Sequence, residues 1–129
     1  MKFITKNENE VLDVAKYVLD NLTPSKIILL NGDLGAGKTT LVKKIAKILQ
    51  IKDIITSPTF NYMKNYDGLI HIDAYHLNGD LSEFEDYYEQ NVVCIEWPEK
   101  IEHNYSNYLK INIIVDVNNN HIYNIKEVK

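Results

Sequence analysis

Apolar positions recur along this chain with two different periods. Within residues 7–21 they fall at Val11, Leu12, Ala15, Val18 and Leu19, with Leu22 just beyond, the spacing of one helix face directed at a sheet. Thr5 stands three residues before Glu8, the spacing of a capping box, and Thr23, Pro24 and Ser25 mark the exit. Residues 26–31, KIILLN, are instead continuously apolar, as expected for a parallel strand covered on both faces. Leu41, Val42, Ile45, Ala46 and Leu49 predict a second helix over 38–49. LIHID at 69–73 and VVCIEW at 92–97 predict two more core strands, the second stopped by Pro98. Residues 2–4 read as a short edge strand, NYMKNY at 61–66 as a strand leading to a turn at Asp67-Gly68, and 82–89 as a short helix. The tail from Tyr108 reads as two strands joined by an asparagine-rich turn. The expected fold is one α/β domain over 1–129: a three-layer sandwich whose central sheet is mainly parallel, with antiparallel edge strands.

Composition narrows the partners. The 129 residues are 45% hydrophobic and 25% charged, enough for a packed core but leaving little for a separate substrate domain. All 14 basic residues are lysine, and the formal net charge is −4. Tight, direct nucleic-acid binding calls for a strong basic patch, which the scattered lysines do not announce. With no arginine, any arginine-finger role falls to a lysine or to a partner. The single Cys94 lies in an apolar run and reads as a core residue. The first ten residues are too polar for a secretory leader and no apolar run reaches membrane-spanning length, so the cytoplasm is the expected location and no membrane is expected as a partner.

Candidate chemistry begins at GDLGAGKT, residues 32–39, which satisfies G-x-x-x-x-G-K-[ST] between a buried strand and an amphipathic helix. Gly35 and Gly37 let successive backbone N–H groups converge on phosphate oxygens, with Ala36 between them, and Gly32 relieves crowding at the strand exit. The helix presents its N-terminus, with Thr40 in its first turn, to the same anion. Lys38 would reach the β and γ phosphates, and Thr39 would coordinate Mg²⁺ through its hydroxyl. Asp33 can orient water or contact the metal, or simply face solvent.

In an open α/β sheet the ligand lies beyond the C-terminal ends of the strands, which selects Asp73 and Glu96. These two can divide metal holding and water positioning, in an order the residues leave open. His71, two residues before Asp73, shares its side of the strand and reads either as a site hydrogen-bonder or as a buried structural histidine. Thr56, Ser57, Pro58 and Thr59 form a candidate nucleotide-sensing loop or a rigid connector. Trp97 can pack on adenine, meet a partner or fill the core. The absence of N-K-x-D favours ATP over GTP.

Four strings together resemble the TsaE family: GDLGAGKTTL at 32–41, TSPTF at 56–60, HIDAYHL at 71–77 and IEWPEK at 95–100. The resemblance covers essentially the whole chain. It implies a P-loop NTPase-like fold, ATP and Mg²⁺ bound by Lys38 and Thr39, and catalytic roles for Asp73, Lys38 and Glu96. It also makes Glu96 the magnesium-linked acid, Trp97 the tryptophan beside the nucleotide and TSPTF a switch-like loop. It implies an ATP-hydrolysing accessory or reset factor for the TsaD–TsaB heterodimer, which forms N6-threonylcarbamoyladenosine at position 37 of tRNA, with tRNA met only through that complex. The chain departs from the family's common pattern at His76 and Lys100, where arginine is usual, and at DLSEFED. A small-molecule or nucleoside kinase, or a nucleotide-dependent binding module without required turnover, are the alternative readings.

Overall fold

The computed structural model describes residues 1–33, 35–56, 62–77 and 79–129. Among these residues, seven strands form one sheet in the order β1-β7-β6-β2-β5-β4-β3. They are β1 (Lys2–Thr5), β2 (Ile27–Asn31), β3 (Met63–Tyr66), β4 (Leu69–Asp73), β5 (Val92–Glu96), β6 (Tyr108–Val115) and β7 (His121–Val128). The middle four, β6-β2-β5-β4, run parallel, while β3, β7 and β1 add antiparallel pairs. The tail hairpin therefore differs from the expected pair of edge strands. Its first strand completes the parallel core against β2, and β1 lies outside its second. Strand order depends on long-range pairing, which the local alternation of the tail does not encode.

Two helices, α1 (Glu8–Asp20) and α2 (Lys38–Ile48), cover one face of the sheet. Val11, Val14, Ala15 and Val18 carry the burial on α1, so the apolar stripe runs through Val14, while Leu12 and Leu19 are only half-buried. The helix packs on α2 as well as on the sheet, which rotates its buried face toward that corner. The capping box also lies elsewhere. Asn7 is the cap, its side chain accepting from Glu10 N at 3.2 Å, and Glu10 accepts from Lys6 N. Thr5 is still inside β1, where its hydroxyl donates to the His121 carbonyl. Asparagine is as good a cap as threonine, and the strand needs Thr5.

The second face has a core of Ile27, Leu29, Ile70, Ile72, Val93 and Ile95. Its cover is irregular chain rather than α-helix. The predicted helix at 82–89 is a 3-10 turn, Ser82–Tyr87, with no buried residue of its own. Leu81 and, partly, Phe84 and Tyr88 pack on the second core from this tight turn. The strand predicted to reach Trp97 ends at Glu96, because Trp97 turns into the left-handed region, φ 62, ahead of Pro98. Among the described residues no helix is long and apolar enough to cross a membrane.

Cys94 is fully buried in β5, and burial, with Glu96 nearby, pushes its thiol far up from the usual range. A buried, protonated thiol is a poor nucleophile. Native protein is expected to react with a thiol reagent at least about 100-fold more slowly than denatured protein, because reaction must wait for opening. Equal rates in the two states would contradict a core position for Cys94.

Candidate functional site

The parallel core delivers its chemistry to one edge. Asp73 and Glu96 are register partners at the ends of β4 and β5, and Glu96 also pairs with Leu30 of β2. From β2 the chain passes through Gly32 and the glycine loop into α2, so the loop and both acids share the C-terminal edge.

Lys38 is only 5% exposed and donates from Nζ to the Gly32 carbonyl. The ammonium lies 3.6 Å from the centre of the Trp97 ring, a cation–π contact. Burial pushes it below the usual lysine range, against the pull of Glu96, Glu99, Asp73 and Asp33. Thr39 Oγ1 donates to Glu96, 3.1 Å from Oε2. His71 Nε2 lies 2.5 Å from that same oxygen. His71 is fully buried and its Nδ1 has no hydrogen-bond partner among the described residues. A carboxylate can only accept, so Nε2 is the donor of this contact. Glu96 is thus held between a hydroxyl at the start of α2 and a core imidazole, and both readings of His71 meet in one residue.

Asp73 is buried, and its Oδ1 accepts from Tyr75 N at 3.0 Å. Tyr75 meets the Trp97 ring edge-on at 4.8 Å, with Lys100 Nζ 5.2 Å from its own ring centre. His76 packs edge-on against Tyr75 at 4.7 Å.

Two residues that sequence reasoning did not assign hold the loop from β7. His121 Nδ1 donates to the Ala36 carbonyl at 2.6 Å, and Tyr123 Oη donates to the Gly37 carbonyl at 3.2 Å. Burial pushes the Tyr123 phenol up to about 12, so it remains a donor at neutral pH. The only local signal for either was a place early in an apolar–polar strand. Their partners lie 85 and 86 residues earlier in the chain. The close fit also explains two glycines. A Cβ on Gly37, at φ +116, would stand 2.7 Å from Tyr123 Oη, and one on Gly32 would stand 2.9 Å from the Ile113 carbonyl oxygen.

Lys38, Thr39, Asp73, Glu96, Trp97 and His121 line a cleft of about 560 Å³, which Gly35, Gly37 and Thr40 also border. A smaller hollow of about 170 Å³ shares Gly37, Thr40 and His121 with it and extends toward Asn7 and Asn119. A larger depression, about 680 Å³, lies along the other end of α2 beside Lys43 and Lys47, away from both strand-end acids. Ala36 is buried beneath the loop, and Asp33 is exposed, its backbone carbonyl accepting from Ala36 N. Thr56 accepts from Lys64 Nζ at 2.6 Å, whereas Ser57, Pro58 and Thr59 lie outside the described residues.

A buried strand, a glycine loop and a helix, set at the edge of a mixed sheet with a parallel middle, define a P-loop NTPase-like α/β protein. The sequence model described as "Threonylcarbamoyl adenosine biosynthesis protein TsaE" matches residues 5–123. The chain belongs to the TsaE family and is involved in tRNA threonylcarbamoyladenosine biosynthesis. The tRNA threonylcarbamoyladenosine biosynthesis protein TsaE of Bacillus subtilis is 38% identical over 109 residues, covering 79% of this chain and 69% of its own length. The protein of the same name from Rickettsia typhi is 36% identical over 131 residues, covering 94% and 91% respectively. The crystal structure of YdiB from Bacillus subtilis superposes with a TM-score of 0.77 at 29% identity, covering 99% of this chain and 84% of that one.

Proposed function

We propose that the chain is a Mg²⁺-dependent ATPase that serves as an accessory or reset factor for the TsaD–TsaB heterodimer in forming threonylcarbamoyladenosine on tRNA. The observation that carries this reading is the meeting of Lys38, Thr39, Asp73 and Glu96 in one cleft at the C-terminal edge of the sheet. Of the two acids only Asp73 has no part in holding nucleotide or metal, and it is the one that favours hydrolysis over binding alone.

Lys38 would exchange the Gly32 carbonyl for phosphate oxygens, a short movement for a side chain already beside the loop. The loop N–H groups and the N-terminus of α2 would serve the same anion. Thr39 and Glu96 offer two hard oxygen donors in contact with each other, which suits a metal that shares its remaining positions with phosphates and water. Bound there, Mg²⁺ would draw charge from the phosphate oxygens during transfer. Asp73, register partner of Glu96, would orient the attacking water and take its proton. Trp97 and Tyr75 would keep bulk water from the reacting end. The smaller hollow toward Asn7 and His121 would receive the nucleoside end. This division leaves tRNA to the partner complex, in keeping with a chain of net charge −4 and no arginine.

The test is ATP hydrolysis in variants of the two acids. Asp73→Asn is expected to lower kcat by about 10²-fold or more while ATP still binds. Glu96→Gln is expected instead to raise the Mg²⁺ concentration for half-maximal rate by about tenfold or more. Wild-type kinetics in Asp73→Asn would remove it from the reaction. His121→Ala is expected to raise KM for ATP about tenfold with kcat little changed, through loss of a loop hydrogen bond and a wall of the hollow. Transfer of the phosphoryl group to a metabolite or nucleoside instead of water would favour the kinase reading.

A further inference from the structure

The irregular layer that covers the second sheet face reaches across β2 to the start of β6, where His103 meets Tyr108 edge-on and Pro98 and Glu99 border a hollow with Lys110. Past that point the rest of β6, with β7 and β1, turns the same face outward, exposing Asn112, Ile114, Asn124, Lys126, Lys2 and Ile4. The register sets what this open face carries. Ile114, Ile122 and Ile4 stand side by side across the three strands, at the end where β2 enters the glycine loop. Ile114 and Ile4 are each 55% exposed, while Ile122 between them is shielded. One step along, Lys2 faces Asn124, which faces Asn112, and the next pair is Lys110 and Lys126, all exposed. No carboxylate occupies these positions. Three lysines beside an isoleucine row therefore make a basic and apolar patch on a chain that is acidic as a whole.

A sheet face left to water normally alternates apolar-in and polar-out, and isoleucines outward in one row depart from that pattern. From this placement we infer that the open face of β6-β7-β1 is the docking surface for a protein partner that presents an apolar contact flanked by carboxylates. The inference deepens the proposed function and rests on it, the occupant being the TsaD–TsaB heterodimer. Protein fits better than RNA, because sheet surfaces that read RNA stack bases on aromatic rings and the patch offers aliphatic ones. The isoleucine row adjoins the strand end at which the Ile113 carbonyl crowds Gly32. A partner seated there would press on the backbone that leads into the phosphate loop, giving a direct route from docking to ATP turnover.

The test is binding of purified TsaD–TsaB to full-length wild type and to single variants, followed by light interferometry at two salt concentrations. Ile114→Asp is expected to weaken binding by about tenfold or more. Lys126→Glu is expected to weaken it less and to flatten its salt dependence. Lys16→Glu, on the exposed side of α1, should bind as wild type does, and all three should keep basal ATP hydrolysis and a native melting profile. Wild-type affinity in both patch variants would overturn the inference while leaving the partnership intact. Absence of binding by wild type itself would instead overturn the partnership, and the occupant with it. A dimer in sedimentation that Ile114→Asp disperses would assign the face to a second copy of the chain. Direct tRNA binding lost in Lys126→Glu would assign it to RNA; either result contradicts the inference.

Discussion

Lys38→Ala is expected to reduce ATP turnover by about 10²–10³-fold, the range for removing one preorganised charge from a transferring group. The loss should appear in kcat and in ATP affinity together, since the ammonium would meet the phosphates both before and during transfer. The fold should survive. Lys38 makes its contacts within the loop and to the Trp97 ring at the margin of the second core, and its burial already disfavours the charged form. An unchanged melting temperature with lost hydrolysis would separate chemistry from stability. Hydrolysis at wild-type rate would mean that the lysine beneath Trp97 does not approach the phosphates.

The second large effect concerns a residue with no side chain. Gly37→Ala is expected to destabilise the protein by about 2–5 kcal/mol, combining a left-handed backbone with an overpacked contact. The contact is with Tyr123 Oη, and Tyr123 is fully buried, so its ring cannot swing aside. Nucleotide affinity should fall with stability, because the strain lies in the backbone that would cradle phosphate. The double variant Gly37→Ala/Tyr123→Phe should regain part of the stability by removing the hydroxyl, but not the part due to φ. A double variant no more stable than Gly37→Ala, in chemical denaturation, would show that the clash with Tyr123 is not the cause.

Much of this was legible from residues close in sequence. The continuous apolar runs of β2, β4 and β5 announced buried parallel strands, and the ends of the last two selected Asp73 and Glu96. The glycine loop needed only its eight residues and their flanks. What stayed hidden depends on contacts across the chain. His121 and Tyr123 reach the loop because β6 pairs with β2 and carries β7 beside it, an ordering that no local period contains. The grip of His71 on Glu96 required the pairing of β4 with β5. Asn7 took the cap from Thr5 because β1 extends one residue further than its apolar pattern reads. The stretch at 82–87 forms a 3-10 turn although Leu81, Phe84 and Tyr88 have helical spacing, and nothing in the structure explains the tighter turn.

The most direct measurement is the rate of Mg²⁺-dependent ATP hydrolysis by the purified protein, alone and with the TsaD–TsaB heterodimer. The chain has no arginine to supply transition-state charge, so the rate alone should be low. The heterodimer should raise it by about tenfold or more, and Lys38→Ala should abolish the rise. A rate that verified active partners leave unchanged, or that persists in Lys38→Ala, would contradict a partner-gated ATPase in this cleft.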